Sequence, residues 1–433
     1  MSKKLNREFV MILEKYSFGI GDRFGRQGKA QLAALIKAKQ PGYGGLRPDE
    51  QGLEITPVWN KSHREHTIIG TKPADTRKEA DEAVASCGWK DAYFVDADHI
   101  GLKNVDLFIE SSDFFTIDVA DFIGKPAAVS DVESFVKKHK KYREFEISNS
   151  KFEITVERIK TVADTFLLAV KQAGKIYRHI SQAKASNSFI IEVSMDETEK
   201  PQTPVEMFFI LAAIADEGIP AQTIAPKFTG RFKKGVDYVG DVTKFTREFQ
   251  EDLAVIAFAI KEFGLPGNLK LSIHSGSDKL SIYEPINKAL KKFNAGLHLK
   301  TAGTTWLEEL IGLAIAGGDG LAIAKQIYAK ALSRIDELCQ PYAAVIDIDR
   351  AELPKIKDVD KWDGQRFASA LRHDQSCPDY NPNFRQLLHI AYKIAAEMGE
   401  RYFDALDRFE DTIARNVTDN IYERHIKPVF MGP

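Results

Sequence analysis

The sequence predicts an α/β fold: a (β/α)8 barrel with a long helical insertion and a helical C-terminal extension. Three observations carry that expectation. Short apolar runs recur through the first three-quarters of the chain, each ending in a polar or glycine-containing turn. Helical patterns separate most of them, and such alternation implies parallel strands joined by crossover helices. There are about eight such units, the number that closes a barrel; an open doubly wound sheet is the alternative.

The expected strands, in order, are Ser17–Asp22, Glu54–Asn60, Ala92–His99, Phe114–Asp121, Ser188–Glu197, Gln222–Thr229, Leu269–Ser275 and Gly296–Gly303. Gly28–Ala38, Pro204–Glu217 and Thr243–Phe263 read as helices between them, the second opening with Pro, which suits a first helical turn. Val156–Ser181 reads as a long helix between the fourth and fifth strands, part of an insertion at about 127–185. The barrel is expected over 1–305 and a mainly helical extension, packed on it, over 306–433. Phe384–Met398 is periodic, and the polar stretch Asp358–Pro382 reads as an extended loop.

Composition excludes several classes. With 60 basic and 62 acidic residues and a net charge of −2, the chain lacks the basic surplus of a nucleic-acid binder. The Lys137, Lys138, Lys140, Lys141 run reads as a solvated helix face. Three well-separated cysteines, Cys87, Cys339 and Cys377, suggest neither a disulfide framework nor a thiolate zinc site. No leader pattern and no membrane-length apolar run is found, so a cytoplasmic protein with no membrane partner is expected. A homo-oligomer is compatible with the sequence.

Parallel barrels collect ligands at the C-terminal ends of their strands. There the third run stops in Asp96, Asp98 and His99. In the fifth, alternation puts Glu192, Ser194 and Asp196 on one face and Ile191, Val193 and Met195 on the other. Unpaired buried carboxylates are costly, so a metal ion or a basic partner is implied. The sixth run offers Lys227, the seventh His274 followed by Ser275 and Asp278, and the eighth His298 and Lys300 on one face. Imidazole and carboxylate donors suit a divalent cation such as Mn, Ni, Zn or Fe. The competing reading of each residue alone is structural: a hydrogen-bonding histidine, or Glu192 in an ordinary salt bridge with Lys227 or Lys300.

Other motifs weigh less. His63-Arg64-Glu65-His66 has metal-like spacing but is expected in a polar loop, without the HExxH helix of a zinc protease. His139, His179 and His425 lie in helical, charged surroundings and are expected to do nothing chemical. The glycine turn Gly19–Gly25 does not match the dinucleotide fingerprint in register. It reads as a tight strand–helix turn or as a device that brings Asp22 and Arg23 into the barrel mouth, where Arg can grip a carboxylate.

Taken together, SFGIGDRFG from Ser17, DADH at Asp96–His99, EVSMDETEKPQTP from Glu192, SIHSGSDK from Ser272, HLKTAGT from His298 and FRQLLH from Phe384 resemble the tagaturonate epimerase family. Its members interconvert tagaturonate and fructuronate in bacterial galacturonate breakdown. The resemblance runs from about Ser17 to His389. It implies a divalent-metal isomerase with a sugar-acid substrate. Asp98 is then implied as proton acceptor and Glu192 as donor, with Asp196 and Glu197 as rivals. His99, His274 and His298 are implied as metal ligands, with Asp237 kept as a further candidate. Arg23, Lys300 or Arg385 would hold the substrate carboxylate, and Asp22, Asp196, Lys227, Ser275 and Asp278 would contact substrate. The inverted carbon lies two carbons from the ketone, so a retro-aldol route fits better than enolisation. The alternatives are another metal-dependent sugar-acid epimerase or aldolase of the same barrel type, and a non-catalytic sugar-acid-binding regulator.

Overall fold

A computed structural model describes residues 11–40, 52–142, 144–147, 150–184, 188–301 and 304–432. Eight parallel strands close into a barrel. They are β1 (Tyr16–Gly21), β2 (Thr56–Ser62), β3 (Phe94–Ile100), β4 (Phe114–Asp118), β7 (Ile190–Ser194), β8 (Ala221–Ala225), β9 (Lys270–His274) and β10 (Leu297–Lys300). Their order around the barrel is β1-β10-β9-β8-β7-β4-β3-β2, so each pairs with its sequence neighbours and β10 closes on β1. All eight expected strands are present. Two short antiparallel strands, β5 (Glu144–Ile147) and β6 (Ser150–Glu153), form a hairpin outside the barrel. Ala302 and Gly303, at the end of the eighth expected run, lie outside the described residues.

Local chemistry explains the crossovers. Thr203 caps the helix Pro204–Asp216 by accepting from the Glu206 backbone N–H, while Glu206 reaches back to the Thr203 N–H. That helix is apolar on nearly all sides because it packs between the long helix Val156–Lys184 and Val242–Phe263. Val156–Lys184 also packs on β4 and so serves as a barrel crossover helix. The helix Val129–His139 and the β5–β6 hairpin precede it.

Three expectations change. Thr304–Ala316 is the helix that follows β10 and packs on the C-terminal helices, so the boundary at 305/306 falls inside that helix. The HREH segment is not loop: Ser62 and Glu65 form a capping box and start a helix at His63–Ile69, which Gly70 ends at φ 81°. The 358–382 segment contains the helix Gly364–Leu371, started by the Asp363 side chain, which accepts from the Arg366 N–H. Beyond it the periodic stretch divides into Pro382–Ile390 and Tyr392–Ala396. Helix Glu410–Ile421 then packs on Gly28–Lys39 and Thr304–Ala316, and Tyr422–Met431 on Leu280–Phe293.

Candidate active site

The barrel interior changes character along its axis. Val58, Phe94, Phe114 and Ile190 form a small apolar cluster with Leu13, separate from the main core. Two residues further along the same strands stand Asn60, Asp96, Thr116 and Glu192, and two beyond those Ser62, Asp98, Asp118 and Ser194. This is strand alternation with period two: an apolar floor and a charged upper interior.

Lys300 on β10 is the hub of that interior. Its Nζ is 2.7 Å from Asp96, 2.7 Å from Asp98 and 3.4 Å from Glu192, and donates to the Thr116 hydroxyl at 2.7 Å. Gly19 makes the room, since a Cβ there would lie 2.7 Å from Lys300 Cγ. Burial alone would drive the ammonium to lose its proton. Asp96, Asp98 and Glu192 outweigh it, and the Lys300 pKa is raised well above the usual lysine value. Burial opposes charge on Asp98 too, yet Lys300 and His99 bring its pKa down. Asp96 goes the other way: burial, with Asp98 and Glu192 adding like charge, lifts it against the pull of Lys300.

Above this hub sit two imidazoles. His274 donates through Nε2 to Glu192 Oε1 at 2.7 Å, and its Nδ1 lies 3.1 Å from Asp196. That Nδ1 is buried and ion-pairs with the Asp196 carboxylate, without hydrogen-bond alignment. His99 Nδ1 is 3.1 Å from Asp118, and the His99 and His274 rings meet edge to face with centroids 5.1 Å apart. By alternation His99 would point away from Asp98. A register shift on β3 between Ala97 and Ile100, and a φ of 51° at His99, turn it into the mouth. Positive φ at a non-glycine residue costs about 1–3 kcal/mol and tends to be kept where function needs it.

His99, Asp196 and His274 offer ligand atoms that all lie within 4.8 Å of one another; His99, Asp118 and Glu197 form a second such group. The donors suit a divalent cation. Each imidazole also has a carboxylate on one nitrogen, which leaves the other for an ion: Glu192 behind His274 and Asp118 beside His99. The buried Nδ1 of His274, set against the Asp196 carboxylate at 3.1 Å, points to the same use.

Several expected site residues lie elsewhere. His298 sits lower in the barrel, its Nδ1 2.8 Å from the Ser17 hydroxyl and its ring against Phe114, outside both donor groups. Asp22 is taken up by its own turn, accepting from the N–H groups of Phe24, Gly25 and Gln27. Asp278 and Arg385 are fully buried and pair with each other at 3.0 Å, with His373 and His425 also on the Asp278 carboxylate at 3.3 and 3.2 Å. Arg385 further donates to the Gly235 and Leu371 carbonyls, so it holds the extension to the barrel and is not free for substrate. His425, expected to be idle, belongs to that cluster. The Ser275 hydroxyl donates to the Lys300 carbonyl, and Asp237 accepts from Ser281 at a helix start. Lys227 is tied through its backbone N–H to Gln202, and its side chain makes no ion pair among the described residues. His66 is bonded to Thr71 through Nδ1 and is remote from the donor groups. Thr116 and Asp118 went unremarked in the sequence, although the fourth run ends in the same apolar-to-acidic pattern as the third.

The chain matches the tagaturonate epimerase family model over residues 3–429. It is 27% identical to the tagaturonate/fructuronate epimerase of Thermotoga maritima, over 97% of this chain and 85% of that protein. In fold it is similar to the fructuronate-tagaturonate epimerase of Cohnella laeviribosi. The glycerol complex of that enzyme superposes with a TM-score of 0.79 at 22% identity, covering 97% of this chain and 82% of the other. The native form gives 0.76 at the same identity and coverage. A match across nearly its whole length places this chain in the tagaturonate epimerase family, isomerases that act on carbohydrates.

Proposed function

We propose that this chain is a divalent-metal-dependent epimerase that interconverts D-tagaturonate and D-fructuronate by breaking and re-forming a carbon–carbon bond. The observation that carries the reading is the convergence of His99, Asp196 and His274, whose ligand atoms all lie within 4.8 Å of one another at the mouth of a barrel from this family. His99, His274 and Asp196 would hold the cation. When bound there it would supply Lewis acidity for negative charge that develops on the ketone oxygen.

The protein's own groups do the rest. Asp98, held ionised by Lys300, takes the proton from the hydroxyl on the carbon to be inverted. As that oxygen becomes a carbonyl, the adjacent carbon–carbon bond breaks and its electron pair moves into the ketone fragment. The aldehyde fragment turns and the bond re-forms on its other face. Glu192, which also touches Lys300, returns the proton. Glu192 is itself ionised: burial opposes its charge, but Lys300 and His274 overcome that and lower its pKa well below the usual value. It must therefore be loaded during turnover, with the proton that Asp98 takes relayed through Lys300, which touches both carboxylates.

An aldolase would share the bond cleavage but release both fragments; family membership favours inversion. The route predicts that epimerisation in D₂O leaves the inverted carbon free of deuterium, since its C–H bond is never broken. Deuterium at that carbon, read by NMR, would replace the retro-aldol route with a carbanion one.

A further inference from the structure

A sugar acid needs a cation for its carboxylate, and two of the three residues first expected to provide it are engaged. Lys300 is held by three carboxylates and Arg385 by Asp278. A different group of cations gathers at the rim. Arg23 follows β1, is only 8% exposed and stacks on the Tyr392 ring at 4.4 Å. Its Nε pairs with Glu65 at 3.2 Å, but Nη1 is buried without a partner. Arg64, in the first turn of His63–Ile69, lies over the Tyr342 ring at 5.1 Å. Lys234, on the loop after β8, has its ammonium 6.0 Å from the same ring. The Tyr342 and Tyr392 hydroxyls share a hydrogen bond of 2.9 Å, so one aromatic pair supports all three cations.

The cations crowd one another. Burial lowers the Lys234 pKa, and Arg64 and Arg23 lower it further, while Glu65 and Glu197 offset them only in part. The group also adjoins the reacting centre. Lys234 Nζ would lie 3.6 Å from a Cβ on Gly276, two residues past His274. Glu197 follows Asp196 and groups with His99 and Asp118. His389, buried and bonded through Nε2 to the Gly276 carbonyl, keeps a partnerless Nδ1 beside Arg23 and Lys234.

We propose that Arg64 and Lys234, with Arg23, form the subsite that grips the substrate carboxylate at the barrel rim. Guanidinium and ammonium groups from three different strand–helix loops converge on one spot, and planar guanidinium suits a carboxylate. In the retro-aldol reading, on which this inference rests, the carboxylate is on the aldehyde fragment. The rim group would keep that fragment bound while it turns. It also gives the C-terminal extension a part in the site, through Tyr342, Tyr392 and His389.

The test is calorimetric binding of D-fructuronate to metal-supplemented wild type, Arg64→Met, Lys234→Met and Lys234→Arg. Each Met variant is expected to bind about 10- to 100-fold more weakly, the usual range for a charge-assisted hydrogen bond, with Lys234→Arg close to wild type. Affinity within twofold of wild type in both Met variants would overturn the proposal. So would Lys234→Arg as weak as Lys234→Met, or a wild type that binds no uronate. Binding is read apart from inversion: a wild type that binds through these residues yet inverts nothing refutes the epimerase reading alone. One that inverts while both Met variants bind normally refutes only this subsite.

Discussion

Glu192 Oε1 lies 2.7 Å from His274 Nε2, while the Nδ1 of the same ring faces Asp196 at 3.1 Å within the donor group. A carboxylate behind one imidazole nitrogen fixes the ring and its tautomer and leaves the other nitrogen for an ion. Glu192 therefore has two assignable parts, proton donor and support for a ligand, and these can be separated.

Glu192→Gln is expected to lower metal affinity by about 10- to 100-fold, because the amide supports the imidazole less well. Titration of metal-stripped protein with Mn²⁺, Ni²⁺ or Zn²⁺ measures it. An unchanged affinity with lost turnover would leave Glu192 a donor only. His298→Gln, by contrast, is expected to keep its metal, since His298 lies outside both donor groups.

Asp98→Asn should cut turnover by about 10²–10⁴, the range for removing a positioned acid–base group. Metal content should hold, because Asp98 belongs to neither donor group. Full turnover with metal bound would show that another group takes the proton.

How much of this was legible beforehand follows from the strands. Alternation along β3, β7 and β10 put Asp96, Asp98, Glu192 and Lys300 inside the barrel, and period two is readable from sequence. His99 was picked from its place at a strand end, but its turn into the mouth depends on a register shift and a positive φ, which no side-chain pattern announces. His298 obeys the same alternation as Lys300 and lies one step too low. Asp278 and Arg385 pair with each other, outside the donor groups. Their chemistry suits a site, but a distant segment of chain neutralises Asp278, and long-range pairing is invisible in a local motif. The HREH segment is a helix because Ser62 and Glu65 form a capping box, a local start signal that histidine spacing does not carry.

Lys300→Met should destabilise the fold by about 3–5 kcal/mol, since it leaves Asp96, Asp98 and Glu192 buried without their cation. Urea denaturation at neutral pH measures it. A loss below about 1 kcal/mol would mean that the three carboxylates shed their charge at little cost.

The Asp278 cluster sets an acid limit. Burial alone would raise its pKa, but Arg385, His373 and His425 hold it well below the ordinary range. A folded pKa below the unfolded value of about 3.9 means that the stabilisation is complete above that pH. It is lost as pH falls through the lower, folded value. Wild type should therefore lose stability steeply below about pH 4, and Asp278→Asn should flatten that limb while weakening the fold at pH 7. Thermal melting across pH 2.5 to 7 reads both effects; an unchanged acid limb would remove Asp278 from the account.

The central claim is an ion-assisted inversion of a sugar acid at the barrel mouth. Its most direct test is incubation of the metal-stripped protein with D-fructuronate and with D-tagaturonate, with and without added Mn²⁺, Ni²⁺ or Zn²⁺, followed by product analysis. The account predicts that each sugar acid gives the other, at a rate that depends on one of these ions and that His274→Gln abolishes. Inversion at full rate in the metal-stripped protein, or no interconversion with any of the ions, would contradict it.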